Sequence, residues 1–145
     1  MSISINKANK DDFPEIYDMI VEFASFQKTP EKVKISLEEM IDDEEEINAL
    51  IIRSDHNAIG FATFYFGYSS WSGRHLYLDD IYIQEDFRNR GIGDQVLDIL
   101  EEVAKSNLCK SMRWLVSKWN ENAIRFYKKR GASIDHTEHT CQINL

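Results

Sequence analysis

The order of elements written into the sequence predicts a mixed α/β domain, with a largely antiparallel sheet covered by helices on both faces. Three observations carry that expectation. Segments of period two, rich in β-branched and aromatic residues, crowd the middle of the chain. Apolar stripes at three- and four-residue spacing stand before and after them. No repeat, linker or break in composition interrupts the 145 residues, so residues 1–145 read as one domain able to bury its own core.

The elements follow in order. Ser2–Lys7 alternates Ile3 and Ile5 with polar neighbours and reads as a short strand. Phe13, Ile16, Tyr17, Ile20, Phe23 and Ala24 then mark one face of a helix, with Asn9 and Asp12 as its start signal and Pro14 in its first turn. Ser36-Leu-Glu-Glu39 is a capping box that opens a short second helix, and the acidic run Asp42–Glu46 ends it. Asn48–Arg53 and Ala58–Phe66 read as an antiparallel hairpin across the turn-prone Ser54–Asn57. Gly67–Gly73 is a polar and aromatic loop carrying Trp71, and Arg74–Ile83 is a long third strand of the central group. Val96, Leu97, Leu100, Val103 and Ala104 give another helical stripe. Met112–Val116 reads as a buried strand, Ala123–Arg130 as a final helix closed by Gly131, and Thr137–Leu145 as a last strand.

Composition narrows the function classes. Hydrophobic residues make up 43% and charged residues 29% of the chain, an ordinary globular balance. Net charge is -8, from 25 acidic and 17 basic side chains, which argues against a nucleic-acid footprint and is compatible with a cationic substrate. Cys109 and Cys141 have neither CxxC spacing nor a companion histidine pattern, so both read as reduced thiols and no metal is expected. The N-terminus lacks an apolar core of signal-peptide length and no stretch could span a bilayer, so the expected address is cytoplasmic, with no membrane partner.

The most informative segment is Tyr82-Ile-Gln-Glu-Asp-Phe-Arg88-Asn89-Arg90-Gly91-Ile92-Gly93. A strand runs out, a basic glycine-containing turn follows, and an amphipathic helix begins. Backbone N–H groups at such a helix start are unpaired and carry partial positive charge, which suits a phosphate. Gly91 and Gly93 allow close backbone approach, and Arg88 and Arg90 can add charge-assisted contacts. A P-loop is excluded because no Gly-Lys-Ser/Thr follows, and the Gly-x-Gly-x-x-Gly dinucleotide fingerprint is absent.

This loop resembles the pyrophosphate loop of the GNAT N-acetyltransferases, Gln/Arg-x-x-Gly-x-Gly/Ala, with Arg88, Gly91 and Gly93 in the matching places. The resemblance implies acetyl-CoA as cosubstrate. Backbone of Asn89, Arg90, Gly91, Ile92, Gly93 and Asp94 would hold its pyrophosphate, and backbone of Ile81, Tyr82 and Ile83 would pair with its pantetheine arm as an added strand. Asp94 departs from the small or basic residue usual there, so its side chain is expected to point away from phosphate.

A second motif is Trp119-Asn120-Glu-Asn-Ala123-Ile-Arg-Phe126-Tyr127, with Gly131 closing the helix. Local physics puts Phe126 in the core and Tyr127 about a quarter-turn away. The resemblance gives Asn120 and Ala123 a place along the pantetheine arm and Tyr127 a place near the thioester sulfur. The stretch Tyr68–Ile81 and the segment Lys129–Ser133 resemble the spermidine/spermine and thialysine acetyltransferase branch, where Leu-Glu-Asp stands at Leu78-Asp79-Asp80.

The chemical task gives these residues roles. An alkylamine with a pKa near 10.4 must lose a proton before it attacks a thioester. Asp79 is the candidate base, directly or through water, Asp80 can orient the ammonium, and Tyr127 can protonate the departing thiolate. Strand alternation would put Asp79 and Asp80 on opposite faces unless a bulge intervenes. Gln27, Ser69 and His139 stand where polyamine enzymes of the branch carry acidic residues, and Trp71 can stack on an ammonium or alkyl chain. The acceptor site is therefore expected to draw on Gln27, Trp71, Asp79, Asp80 and His139. The expected activity is acetyl transfer to a small-molecule amine, with a thialysine-like amino acid, a diamine or a polyamine as acceptor. A protein N-terminal or lysine acetyltransferase and a non-catalytic CoA-binding sensor are the rival readings, and a homodimer is implied by the branch.

Overall fold

A computed structural model describes residues 2–145. The chain falls into two compact units, residues up to Trp114 and Leu115–Leu145.

In the first unit, strand β1 (Ile3–Lys7) leads through a turn at Lys10–Asp12 into helix α1 (Phe13–Phe26). Asn9 and Asp12 form a reciprocal capping box across that turn, which then runs directly into α1 with Pro14 in the first turn. A second turn, Pro30–Lys32, precedes helix α2 (Leu37–Asp42), whose start is the Ser36–Glu39 capping box expected from sequence. Strands β2 (Asn48–Ser54), β3 (Asn57–Ser69) and β4 (Gly73–Ile83) form an antiparallel meander, helix α3 spans Ile92–Ser106, and β5 (Ser111–Arg113) closes the sheet. The strand order is β1-β2-β3-β4-β5, with only β4 and β5 parallel.

The apolar periodicities explain the layers. Phe13, Ile16 and Met19 of α1 form one buried cluster with Met40 of α2 and with Ala49, Ile51, Phe61 and Tyr82 of the sheet. The register sets Ile51 opposite Phe61 and Phe61 opposite Tyr82, so these residues share one face of the sheet. Leu50, Ile52, Leu76 and Leu78 alternate to the other face and are buried. Helix α3 packs on β4 and β5 and contributes Ile92, Val96, Leu97 and Leu100 as its own buried stripe. The fold class is thus the expected mixed α/β sheet flanked by helices.

Several expectations need correction. The loop foreseen at Gly67–Gly73 is mostly strand, because the β3–β4 ladder continues to the Ser69–Gly73 pair. The fifth strand is shorter than Met112–Val116, and Leu115 is 70% exposed rather than buried. Pairing with β4 covers only Ser111–Arg113, and backbone beyond the last partner has no ladder to join.

In the second unit, helix α4 spans Glu121–Lys129 and is capped by the Asn120 side chain, which accepts from the N–H of Ala123 at 3.2 Å. Residues 132–145 form no strand, against the expectation for Thr137–Leu145. Their alternation is too local a signal, because a strand needs a neighbouring edge with which to exchange hydrogen bonds. The roles of the two adjacent aromatics are also reversed: Tyr127 is buried and Phe126 is only half-buried.

Candidate active site

The site in the first unit begins with an irregularity in a strand. Thr63 of β3 stands opposite Asp80, yet its neighbour Phe64 stands opposite Leu78. Asp79 is thus one extra residue on β4, a β-bulge. The bulge cancels the alternation that would have separated the two carboxylates, and Asp79 and Asp80 line the same cleft. This cleft has a volume of about 480 Å³. Ile20 and Phe23 of α1, Met40 of α2, Ile47 and Phe64 form much of its apolar wall, and Gln27 and Thr63 also border it.

The electrostatics of the pair follow from this setting. Asp79 reaches solvent and Asp80 is half-buried. Burial pushes the Asp80 carboxyl up to about 6, and the negative charge of Asp79 adds to the shift. The Asp79 carboxyl is also raised, through partial loss of water. Tyr65 and Tyr77 stack with ring centroids 4.9 Å apart, and both phenols are raised, chiefly by burial and further by Asp79. The Thr63 hydroxyl oxygen is buried without a hydrogen-bond partner, at the register position facing Asp80.

Past the bulge β4 continues to Ile83, whereas its pairing with β5 ends at Tyr77 opposite Arg113. The sheet therefore opens along one side of Ile81–Ile83. The Tyr82 side chain is otherwise engaged: its ring stacks on Phe23 at 5.1 Å and its hydroxyl donates to Glu22 at 2.5 Å.

The strand then enters the basic turn. Asn89 and Gly91 both take left-handed backbone, with φ of 61° and 79°. At Gly91 an added Cβ would meet nothing within 4 Å, so the glycine serves the turn's φ and leaves space above it. No side chain caps the start of α3, in contrast to α2 and α4. An uncapped first turn keeps its N–H groups available for an anion. Arg88 braces the turn: its Nε donates to the Ile83 carbonyl at 2.7 Å, and its guanidinium lies over the Phe26 ring at 4.5 Å and the Tyr82 ring at 5.6 Å. Arg90 lies over Phe87 at 5.5 Å. Ile92 is buried, so the helix start is anchored to the core. An open strand edge followed by an uncapped helix start fits a pantetheine arm ending in a pyrophosphate, and no cation-binding cluster of His, Cys, Asp or Glu is found among the described residues.

In the second unit, Asn120, Ala123 and Tyr127 lie on one helical segment. Burial pushes the Tyr127 phenol up to about 12, so it stays protonated at neutral pH. His139 is exposed in the same unit. Trp71 stands at the β3–β4 turn, 98% exposed, and does not border the cleft. Sequence reasoning missed the segment from Thr29 to Ile35, which supplies a rim of the cleft, because it carries no helical or strand periodicity. Pro30 was its one local signal.

Comparison with known proteins identifies the family of the chain. The family model described as "Acetyltransferase (GNAT) family" matches residues 13–132. A thialysine N-epsilon-acetyltransferase of Mus musculus is 36% identical over 94% of this chain and 87% of its own length. A spermidine/spermine N(1)-acetyltransferase-like protein 1 of Homo sapiens is 32% identical over 88% of this chain, though over 20% of its own length. Among solved structures, a ribosomal-protein-alanine N-acetyltransferase from Brucella melitensis superposes with a TM-score of 0.77 at 22% identity, over 98% of this chain and all of the other. An aminoglycoside N-acetyltransferase in complex with CoA gives a TM-score of 0.76 at 18% identity, over 99% of this chain and 95% of the other, a likeness of fold. No helix among the described residues is long and apolar enough to cross a membrane. The chain belongs to the acetyltransferase (GNAT) family and is an acetyltransferase.

Proposed function

We propose that this enzyme moves the acetyl group of acetyl-CoA to the primary amine of a small molecule, with Asp79 as base and Tyr127 as acid. The observation that carries the reading is the β-bulge at Asp79, which brings two carboxylates with raised pKa into the lining of one small, largely apolar cleft. A cleft of about 480 Å³ suits a compact acceptor better than a folded protein surface.

The cosubstrate supplies an activated thioester. Backbone of Ile81–Ile83 would align its arm at the open edge of β4, and backbone of Asn89–Asp94 at the start of α3 would hold its pyrophosphate, with Asn120 and Ala123 assisting along the arm. The remaining chemistry belongs to side chains. Asp80 holds the incoming ammonium, where its own charge is poorly solvated and an ammonium partner relieves the repulsion from Asp79. Asp79 takes the proton that the amine must lose, through a water because aspartate is a short side chain. Raising a carboxyl toward neutrality makes it a better base at working pH. As the new C–N bond forms and the C–S bond breaks, the nitrogen releases its second proton to water, Tyr127 donates its phenolic proton to the departing sulfur, and the phenolate regains a proton from solvent. The raised pKa of Tyr127 guarantees that the proton is present. Fixed orientation of the two reactants supplies much of the remaining rate gain.

The test is release of free thiol from acetyl-CoA over a panel of amines, for the wild type and Tyr127→Phe. The reading expects turnover with small primary amines and a fall of roughly a hundredfold in the variant, with CoA binding retained. Unchanged turnover removes Tyr127 as the acid. Tight CoA binding without turnover on any amine would identify a sensor instead, and turnover confined to peptides would identify a protein acetyltransferase.

A further inference from the structure

We propose that Glu22 and Tyr82 form a positioning pair. Their hydrogen bond fixes the wall that α1 gives the cleft against the strand edge on which the acetyl donor lies, and so sets how amine and thioester meet. This rests on the acetyltransferase reading above and deepens it by adding two side chains that touch neither reactant.

Helix α1 turns two faces to the site. Ile20, Phe23, Ala24 and Gln27, spaced by three and four residues, border the cleft that holds Asp79 and Asp80. Glu22 and Phe26, one turn apart, reach β4 and the turn after it instead. The Tyr82 hydroxyl donates to Oε1 of Glu22 at 2.5 Å, and the Arg88 guanidinium lies over the Phe26 ring at 4.5 Å. Phe23 serves both faces, since it borders the cleft and also stacks on the Tyr82 ring at 5.1 Å. Movement of this part of α1 would therefore shift the cleft wall and loosen its hold on β4 together. The start of α1 is held separately: Arg53 of β2 pairs with Asp12 at 3.0 Å and with Glu15 at 2.8 Å, and none of these three borders the cleft.

On the other side of this contact, Tyr82 lies in the stretch of β4 beyond its last pair with β5. Its buried ring packs on Phe23 and, at 6.1 Å, on Phe61, with the Arg88 guanidinium 5.6 Å away. Arg88 in turn donates to the carbonyl of Ile83, the next residue of the strand, at 2.7 Å. One tyrosine thus ties the open edge and the basic turn to α1. Stacked rings can slide over one another, whereas a hydrogen bond has a preferred length and direction. Phenylalanine would fill the same core position without a partner, so the hydroxyl adds direction rather than volume. The Tyr82 phenol, pushed up to about 12 chiefly by burial and then by Glu22, keeps the proton that it donates. Glu22 is itself exposed, so losing the bond leaves its carboxylate in water rather than orphaned in the core.

The experiment measures thiol release from acetyl-CoA, with cadaverine, lysine and ethanolamine as acceptor probes. Each variant is compared on the probe that the wild type turns over fastest. Tyr82→Phe keeps the stacked ring, so its melting temperature should fall by less than about 4 °C and its CoA affinity in calorimetry should stay within about twofold. Its kcat should fall about three- to tenfold, a loss of alignment rather than of binding. Glu22→Ala should do the same, whereas Glu22→Gln, whose amide oxygen still accepts, should keep most of the rate. Glu22→Ala/Tyr82→Phe should be no slower than either single variant, because both remove one bond. Arg53→Met, the control for the helix start, should lower melting at least as far and leave kcat unchanged. Unchanged kcat in Tyr82→Phe, losses that multiply in the double variant, or an equal loss in Arg53→Met overturns the inference while leaving the acetyltransferase reading intact. Absence of thiol release by the wild type with every amine defeats both together.

Discussion

Asp80 offers the sharpest test of the site's electrostatics, through stability rather than catalysis. Its carboxyl rises from 3.8 to about 6 on folding, chiefly because burial disfavours the charged form. A group whose folded pKa is raised contributes stability that is fully present below the unfolded pKa and lost as pH rises through the folded one. The window therefore runs from about 4 to about 6. At neutral pH the ionised Asp80 is a burden on the fold. At about 1.36 kcal/mol per unit the burden has an upper bound of about 3 kcal/mol, and residual solvent contact brings the expected value to about 1–3 kcal/mol. Asp80→Asn removes the charge and keeps the shape. Urea unfolding of wild type and variant at about pH 7.5 and about pH 4.5 gives the double difference, in which the other carboxylates cancel. The variant should be more stable by about 1–3 kcal/mol at the higher pH, and the advantage should shrink toward zero at the lower. It should also acetylate poorly if Asp80 holds the ammonium as proposed above. An advantage that does not change with pH, or a loss of stability at about pH 7.5, would refute the reasoning.

Other consequences are equally direct. Asp79→Asn removes the neighbouring charge, so a carboxyl-selective NMR titration should find the Asp80 midpoint below its wild-type value of about 6, and an unmoved midpoint would disprove the coupling. Gly67→Ala would bring a Cβ to 2.7 Å from Nε2 of the buried His75 ring, directly across the ladder, and should cost about 1–3 kcal/mol in thermal unfolding. Arg88→Met keeps an apolar stem but loses the bond to the Ile83 carbonyl and the stacking on Phe26. Calorimetry should show CoA binding weakened several-fold, because the turn that presents the α3 start is no longer braced. Replacing the unpartnered Thr63 hydroxyl by a methyl group in Thr63→Val should leave melting unchanged or slightly raised, and a large loss would mean that the hydroxyl is satisfied in solution.

What the sequence by itself determined was whatever is set within a few residues. The Ser36–Glu39 box starts α2, Asn9 and Asp12 form their box ahead of α1, Asn120 caps α4, and Ser54–Asn57 turns the hairpin as expected. In each case the hydrogen-bonding partner lies at most about four residues away, so the residue types and their spacing are sufficient. The turn before α3 was legible for the same reason: its glycines, its basic residues and the helix it opens are contiguous. Tertiary structure decided the rest, because those features depend on residues distant in the chain. Whether Asp79 and Asp80 share a cleft depends on the register of β4 against β3, and a one-residue bulge reverses the answer that alternation gives. The cleft at Asp79 and Asp80 joins α1, the segment before α2, β3 and β4, so no single stretch carries its signature. The opening of β4 from β5 after Tyr77 and the lack of a strand in residues 132–145 turn on the same physics: a strand exists only where another edge completes its hydrogen bonds.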